Sequence, residues 1–121
     1  MHNLVGIIRT ESELEQALDV IDRLRLRLEE VSVTGNRQYN PGWHMAMDLD
    51  CMLTAAEAVT RSAIDRKESR GGHTRDDYPS TDPTFGSINL VTRRSRGEMT
   101  ITPEPLLEMP EELRKICEEN V

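Results

Sequence analysis

The run NPGWHMAMDLDCMLTAAEAVTRSAIDRK, Asn40 to Lys67, has the length and composition of a long helix covered on more than one side. Asn40 can cap it, with Pro41 at the first helical position, where its missing N–H costs nothing. From Trp43 to about Lys67, apolar residues such as Met45, Met47, Leu49, Cys51, Met52, Leu53, Val59 and Ile64 fall on several faces. A helix apolar on several faces is buried on several faces. It therefore sits at the centre of a bundle or presents a large surface that something else covers. Ala55, Ala56, Ala58 and Ala63 would let a neighbouring backbone come close, and Cys51 reads as a small buried hydrophobe.

Upstream, Thr10-Glu11-Ser12-Glu13 forms a capping box. The Thr10 hydroxyl can accept an early helical N–H while Glu13 reaches back to the Thr10 N–H. The helix it starts runs to about Glu30 or Val33. Leu14, Ala17, Leu18, Ile21, Leu24 and Leu28 make one apolar stripe at spacings of three and four. The opening Leu4-Val5-Gly6-Ile7-Ile8 reads as the tail of an element whose earlier part is missing. Gly35-Asn36 separates this helix from the next.

Downstream, Glu68-Ser69-Arg70-Gly71-Gly72-His73-Thr74-Arg75-Asp76-Asp77-Tyr78-Pro79 changes character. Gly71-Gly72 should stop the long helix. On composition alone the segment is a solvated helix exit. Yet glycines beside alternating charges let a chain fold sharply and present several charge-assisted hydrogen bonds together, as a docking surface would. Beyond it, Ser87–Thr92 and Glu98–Thr102 read as two strands of a hairpin around Arg93–Gly97. Pro103 and Pro105 impose an extended stretch, and Glu111–Glu119 is a short terminal helix with Pro110 near its start.

Bulk properties narrow the classes. The chain has 121 residues, enough for one domain with a modest core; 36% are hydrophobic, 3% aromatic and 31% charged. A core of Leu, Ile, Val, Ala and Met suits close-packed helices. The net charge of −7 argues against a nucleic-acid partner, and the local cluster Arg93, Arg94, Arg96 reads as a solvated turn. Cys51 and Cys117 lie far apart without a CxxC, which disfavours a disulfide framework or structural zinc. No run approaches the about 18 apolar residues of a membrane span, and Met1–Arg9 does not read as a signal peptide. His2 and His44 read as surface or capping residues, and no nucleophile–base order assembles.

Arg61-Ser62-Ala63 followed by Glu68–Pro79 resembles, in order and spacing, the signature near the carboxy terminus of succinate dehydrogenase and fumarate reductase flavoprotein subunits. Val5–Glu11, Arg25–Leu28, Ile88-Asn89-Leu90 and Met109–Leu113 resemble the same family, so the likeness covers most of the chain. It implies a mainly α fold: a three-helix, spectrin-repeat-like bundle over residues 1–79, then an extension over 80–121 with a small β-hairpin and a short helix. It implies a parent subunit that interconverts succinate and fumarate with FAD and passes electrons to an iron–sulfur subunit, then to quinone.

In that family the flavin attachment, proton-shuttling and dicarboxylate-binding residues lie upstream of this domain. With no glycine-rich dinucleotide fingerprint here, the chain is expected to hold no FAD or metal and to catalyse nothing alone. The expected role is docking, with Arg70, His73, Arg75 and Asp76 contacting the flavin domain and the iron–sulfur subunit. The membrane is met only through that complex, at the cytoplasmic face. Two other readings stand beside this one: the corresponding domain of an L-aspartate oxidase-like flavoenzyme, and a free-standing acidic helical adaptor.

Overall fold

The computed structural model describes residues 1–119. Its elements are β1 (Ile8–Arg9), α1 (Glu11–Leu28), α2 (Pro41–Asp65), β2 (Thr74–Arg75), α3 (Pro83–Gly86), β3 (Ile88–Ser95), β4 (Glu98–Pro105) and α4 (Glu111–Glu119). The mainly α domain with a small hairpin is what the sequence implied. Of the three helices of the implied bundle, this chain supplies two long ones, α1 and α2.

Both helix starts follow local chemistry. Thr10 Oγ1 accepts the Glu13 N–H at 3.4 Å and Glu13 Oε2 accepts the Thr10 N–H at 3.1 Å, closing the capping box. Asn40 Oδ1 accepts the Gly42 N–H at 3.1 Å, with Pro41 as the first helical residue. Such caps are worth about 0.5–2 kcal/mol each. The helices run antiparallel, since Glu11 near the start of α1 meets Lys67 beyond the end of α2, while Arg25 meets Glu57. Leu14, Ala17 and Ile21 are the buried stripe of α1, and Leu14 and Ala17 join Val5 and Ala63 in the core.

That core is thin, and α2 shows it. Met45, Met52 and Val59, seven residues apart along one face, are 69%, 63% and 48% exposed. Of the two positions open to α2, the structure takes the second, a helix with a broad uncovered face. Cys51 is exposed rather than buried, because α1 and the hairpin cover only part of α2. The end of α2 also differs from expectation. It stops at Asp65, where Arg66 leaves the helix at φ −83°, ψ 90°, and the glycine pair instead makes the turn closed by Arg70 and His73.

The hairpin is longer and tighter than the sequence suggests. Arg96 (φ 52°) and Gly97 (φ 90°) form a two-residue turn with both central residues left-handed, so Arg93–Ser95 pair with Glu98–Thr100 instead of looping. Pro103 and Pro105 sit within β4 opposite Leu90 and Ile88. A two-stranded sheet has an open edge on each strand, where a proline lacks nothing. Ser62 Oγ and Thr92 Oγ1, 3.4 Å apart, join α2 to β3.

Candidate functional site

A helix leaves its last carbonyls without intrahelical partners. At the end of α2 the final backbone bond runs from Arg66 N–H to Ser62 O, leaving the next carbonyls open. Arg75 fills that place. Its Nη1 donates to Ala63 O at 2.6 Å and to Ile64 O at 3.3 Å, and the residue is wholly buried. His73 adds a bond from Nε2 to Arg66 O at 3.0 Å. A cation at this end also complements the negative pole of the helix.

The same guanidinium faces the start of α1. Arg75 Nε and Nη2 donate to Asp77 Oδ1 and Oδ2, both at 2.7 Å, in the bidentate geometry that favours arginine. Asp77 Oδ2 in turn accepts the Glu11 N–H at 2.9 Å, placing a carboxylate at the positive pole of α1. Arg75 Nη2 also reaches Glu11 Oε2 at 3.3 Å. Hydrogen bonds from Arg75 hold the Asp77 carboxyl well below the usual carboxylate range, against its partial burial. The segment therefore caps two helices at once. It is fixed to them by the short parallel pair Ile8↔Thr74, Arg9↔Arg75 and by the Asp76 N–H to Arg9 O bond.

Glu68 is a second node. It is wholly buried, and its Oε1 accepts from Arg66 Nε (2.9 Å) and Arg70 Nε (3.0 Å), while Oε2 accepts the Asp82 N–H at 2.8 Å. The bond from Arg70 is the largest cause, with Asp82 and Arg66 adding to it, that brings its pKa down to about 2 although burial opposes this. Arg70 Nη2 continues to Asp82 O at 3.0 Å, and Arg66 Nη2 to Phe85 O at 3.1 Å.

The four residues singled out by sequence thus have different situations. Arg75 is enclosed and bonded within the chain. Arg70 lies at the surface but is tied to Glu68. His73 is half-buried: Nε2 carries the proton for Arg66 O, and Nδ1 accepts from Arg9 Nη1 at 2.9 Å. Burial first, then the charges of Arg9, Arg75 and Arg66, push its pKa below the usual histidine value. Asp76 is exposed, and its carboxylate makes no bond among the described residues. Sequence reasoning missed Arg9, Glu11, Arg66, Glu68 and Asp77 as members. Glu68 and Asp77 lay in the quoted segment, whereas Glu11 and Arg9 join it across 64 positions with no local signal.

Among the described residues, the glycine pair does not stand where a dinucleotide-binding loop would. Gly71-Gly72 lie at the tip of a tight turn and not between a strand and a helix start. Among the described residues, no cluster of three or more His, Cys, Asp or Glu could hold a metal, and no helix is long and apolar enough to cross a membrane.

Known proteins carry a similar sequence and shape. The family described as fumarate reductase flavoprotein C-term matches residues 1–115. A fumarate reductase (CoM/CoB) polypeptide from Methanothermobacter marburgensis is 38% identical over 90 residues, 74% of this chain and 16% of that protein. An L-aspartate oxidase from Rhodospirillum rubrum is 34% identical over 109 residues, 90% of this chain and 33% of that protein. The solved structure of Mycobacterium smegmatis Sdh1 in complex with UQ1 is similar at a TM-score of 0.87 and 42% identity, covering 98% of this chain and 21% of that one. The chain thus spans a third or less of each of these relatives.

Proposed function

The chain belongs to the family of fumarate reductase flavoprotein C-terminal domains, and on that premise we propose that it serves as a docking domain of a flavoprotein subunit that interconverts succinate and fumarate. In this reading FAD and the dicarboxylate are held by the rest of the subunit, and an iron–sulfur subunit takes the electrons. The complex lies at the cytoplasmic face of a membrane. The observation that carries the docking role is the broad uncovered face of α2 beside the rigidly capped segment 66–82. A thin core with Met45, Met52 and Val59 in solvent suits a domain that is covered when assembled. The contacts assigned to it are Arg70, His73 and Asp76 at the surface, with Arg75 holding them in place from within.

The likeness to an L-aspartate oxidase supports a second reading, in which the same domain docks on a flavin domain without an iron–sulfur partner. The higher identity over nearly the whole chain to the mycobacterial Sdh1 favours the first. The test mixes this chain, in moderate salt, with the flavin-domain part of the subunit or with the iron–sulfur subunit, then follows co-elution. Association with both supports the proposal, and association with the flavin part alone supports the aspartate oxidase reading. A folded chain that binds neither refutes docking. The isolated chain is expected to be colourless and inactive with succinate, and stoichiometric flavin in it would contradict the assignment.

A further inference from the structure

Beside the capped segment, an open groove of about 460 Å³ runs between the second half of α2, β3 and the β1 end. Its polar lining is Arg9, Ser62, Arg66, His73, Asn89 and Thr92, and among the described residues no carboxylate lines it. That absence is notable in a chain with 22 acidic and 15 basic residues. Arg66 has its counter-charge in Glu68. Arg9 has none. Its guanidinium is positioned by Nε to Gly6 O (2.6 Å) and Nη1 to His73 Nδ1 (2.9 Å), both neutral acceptors, and it makes no ion pair among the described residues. A half-buried cation held in place without a counter-ion is costly unless something supplies one.

Resting on the docking role proposed above, we propose that this groove receives a carboxylate side chain, Asp or Glu, from the protein surface on which the domain docks. The carboxylate would lie against the free edge of the Arg9 guanidinium and next to His73 Nδ1, in a groove that Asn89 also lines. Charge complementarity selects this occupant, because the charged groups lining the groove are Arg9 from β1 and Arg66 from the end of α2, and the charge of Arg75 also acts on His73. An arriving carboxylate reverses the electrostatics at His73. It takes over Arg9 from Nδ1 and favours the protonated ring, so binding and His73 protonation are linked.

The test begins with this chain alone, using blocked glutamate (acetyl-Glu-amide) as the probe and nuclear magnetic resonance of the His73 ring and the Arg9 Nε–H as the readout. A saturable shift at both groups is expected, with the His73 pKa moving upward, and with blocked glutamine or equal ionic strength of chloride giving neither. Arg9→Gln should weaken the probe about tenfold, the scale of one charge-assisted hydrogen bond. Arg9→Lys, which keeps the charge, should retain part of the binding, and Arg93→Gln on the hairpin should retain all of it. A shift that does not saturate, or that chloride reproduces, overturns the proposal. So does succinate binding ten times more tightly than blocked glutamate, which would make the groove a small-molecule site. In the co-elution assay, docking that persists undiminished in Arg9→Gln sinks this inference and leaves the docking reading intact. If the unmodified chain fails to co-elute, docking falls, while the titration still decides whether the groove takes a carboxylate.

Discussion

Replacing Arg75 by Met tests the double cap most directly. Methionine fills much of the volume of the arginine stem, so the loss comes from the guanidinium. Ala63 O, at 2.6 Å from Nη1, becomes a buried carbonyl without a partner, and Ile64 O is left partly so. One orphaned buried acceptor costs about 1–3 kcal/mol. Asp77 and Glu11 also lose their cation, but their side chains are 29% and 35% exposed and recover solvent, so their share is small. Together the loss is about 2–4 kcal/mol, most of it from the two carbonyls left without a donor. For a chain of this size that lowers Tm by roughly 8–16 °C. Arg75→Lys keeps the charge but not the planar fork, and should cost about half as much. Urea denaturation followed by circular dichroism reads both. The capping argument is refuted if Arg75→Met costs less than about 1 kcal/mol, or no more than Arg93→Gln, a change at an exposed hairpin pair.

Glu68 gives a pH signature. Its folded pKa of about 2 lies below its ordinary 4.5, so its stabilisation is complete above pH 4.5 and is lost as pH falls toward 2; Glu68→Gln should flatten the urea midpoint across that window. Cys51 and Cys117 are both exposed, so two thiols should react with a chromogenic disulfide reagent in the native chain at the rate seen in urea, and a protected thiol would contradict the exposed face of α2. Ending the chain after residue 79 removes the Asp82 N–H from Glu68 and the Phe85 carbonyl from Arg66, whereas ending it after residue 87 keeps both. The shorter form should therefore unfold at distinctly lower urea, and equal midpoints would show that those bonds contribute little.

What could be read in advance was local. Thr10 with Glu13 and Asn40 with Pro41 are short-range patterns whose hydrogen bonds span two or three residues, so they appear in the sequence as they do in the structure. The hairpin was half legible. Its strands were visible, but the turn depends on Arg96 adopting φ 52°, a conformation that non-glycine residues seldom take, and this shortened the connection to two residues. Arg75 turns inward, which its local sequence does not show. A charged residue beside glycines looks like surface until the ends of α2 and α1 are known to lie together, and that knowledge sits in contacts 64 positions apart. Cys51 is exposed for the opposite reason: an apolar helix predicts a cover, and the described residues do not supply all of it.

The inward turn of Arg75 changes how docking has to be tested. A substitution at Arg75 or Glu68 would abolish partner binding by loosening the segment, and could not separate contact from scaffold. Asp76 can. Its backbone N–H is used by Arg9 O, but its exposed carboxylate has no hydrogen bond or ion pair among the described residues. Asp76→Lys should therefore change stability by no more than about 0.5 kcal/mol. If the carboxylate meets a cation of the partner, the reversed charge puts like charges together there. Removing such a contact costs about 2 kcal/mol or more when it is buried, at least a twentyfold loss in affinity. Co-elution measured beside urea unfolding gives both quantities on one protein. Unchanged binding with unchanged stability would remove Asp76 from the contact surface and leave Arg70 and His73, both already partnered within the chain, to carry it.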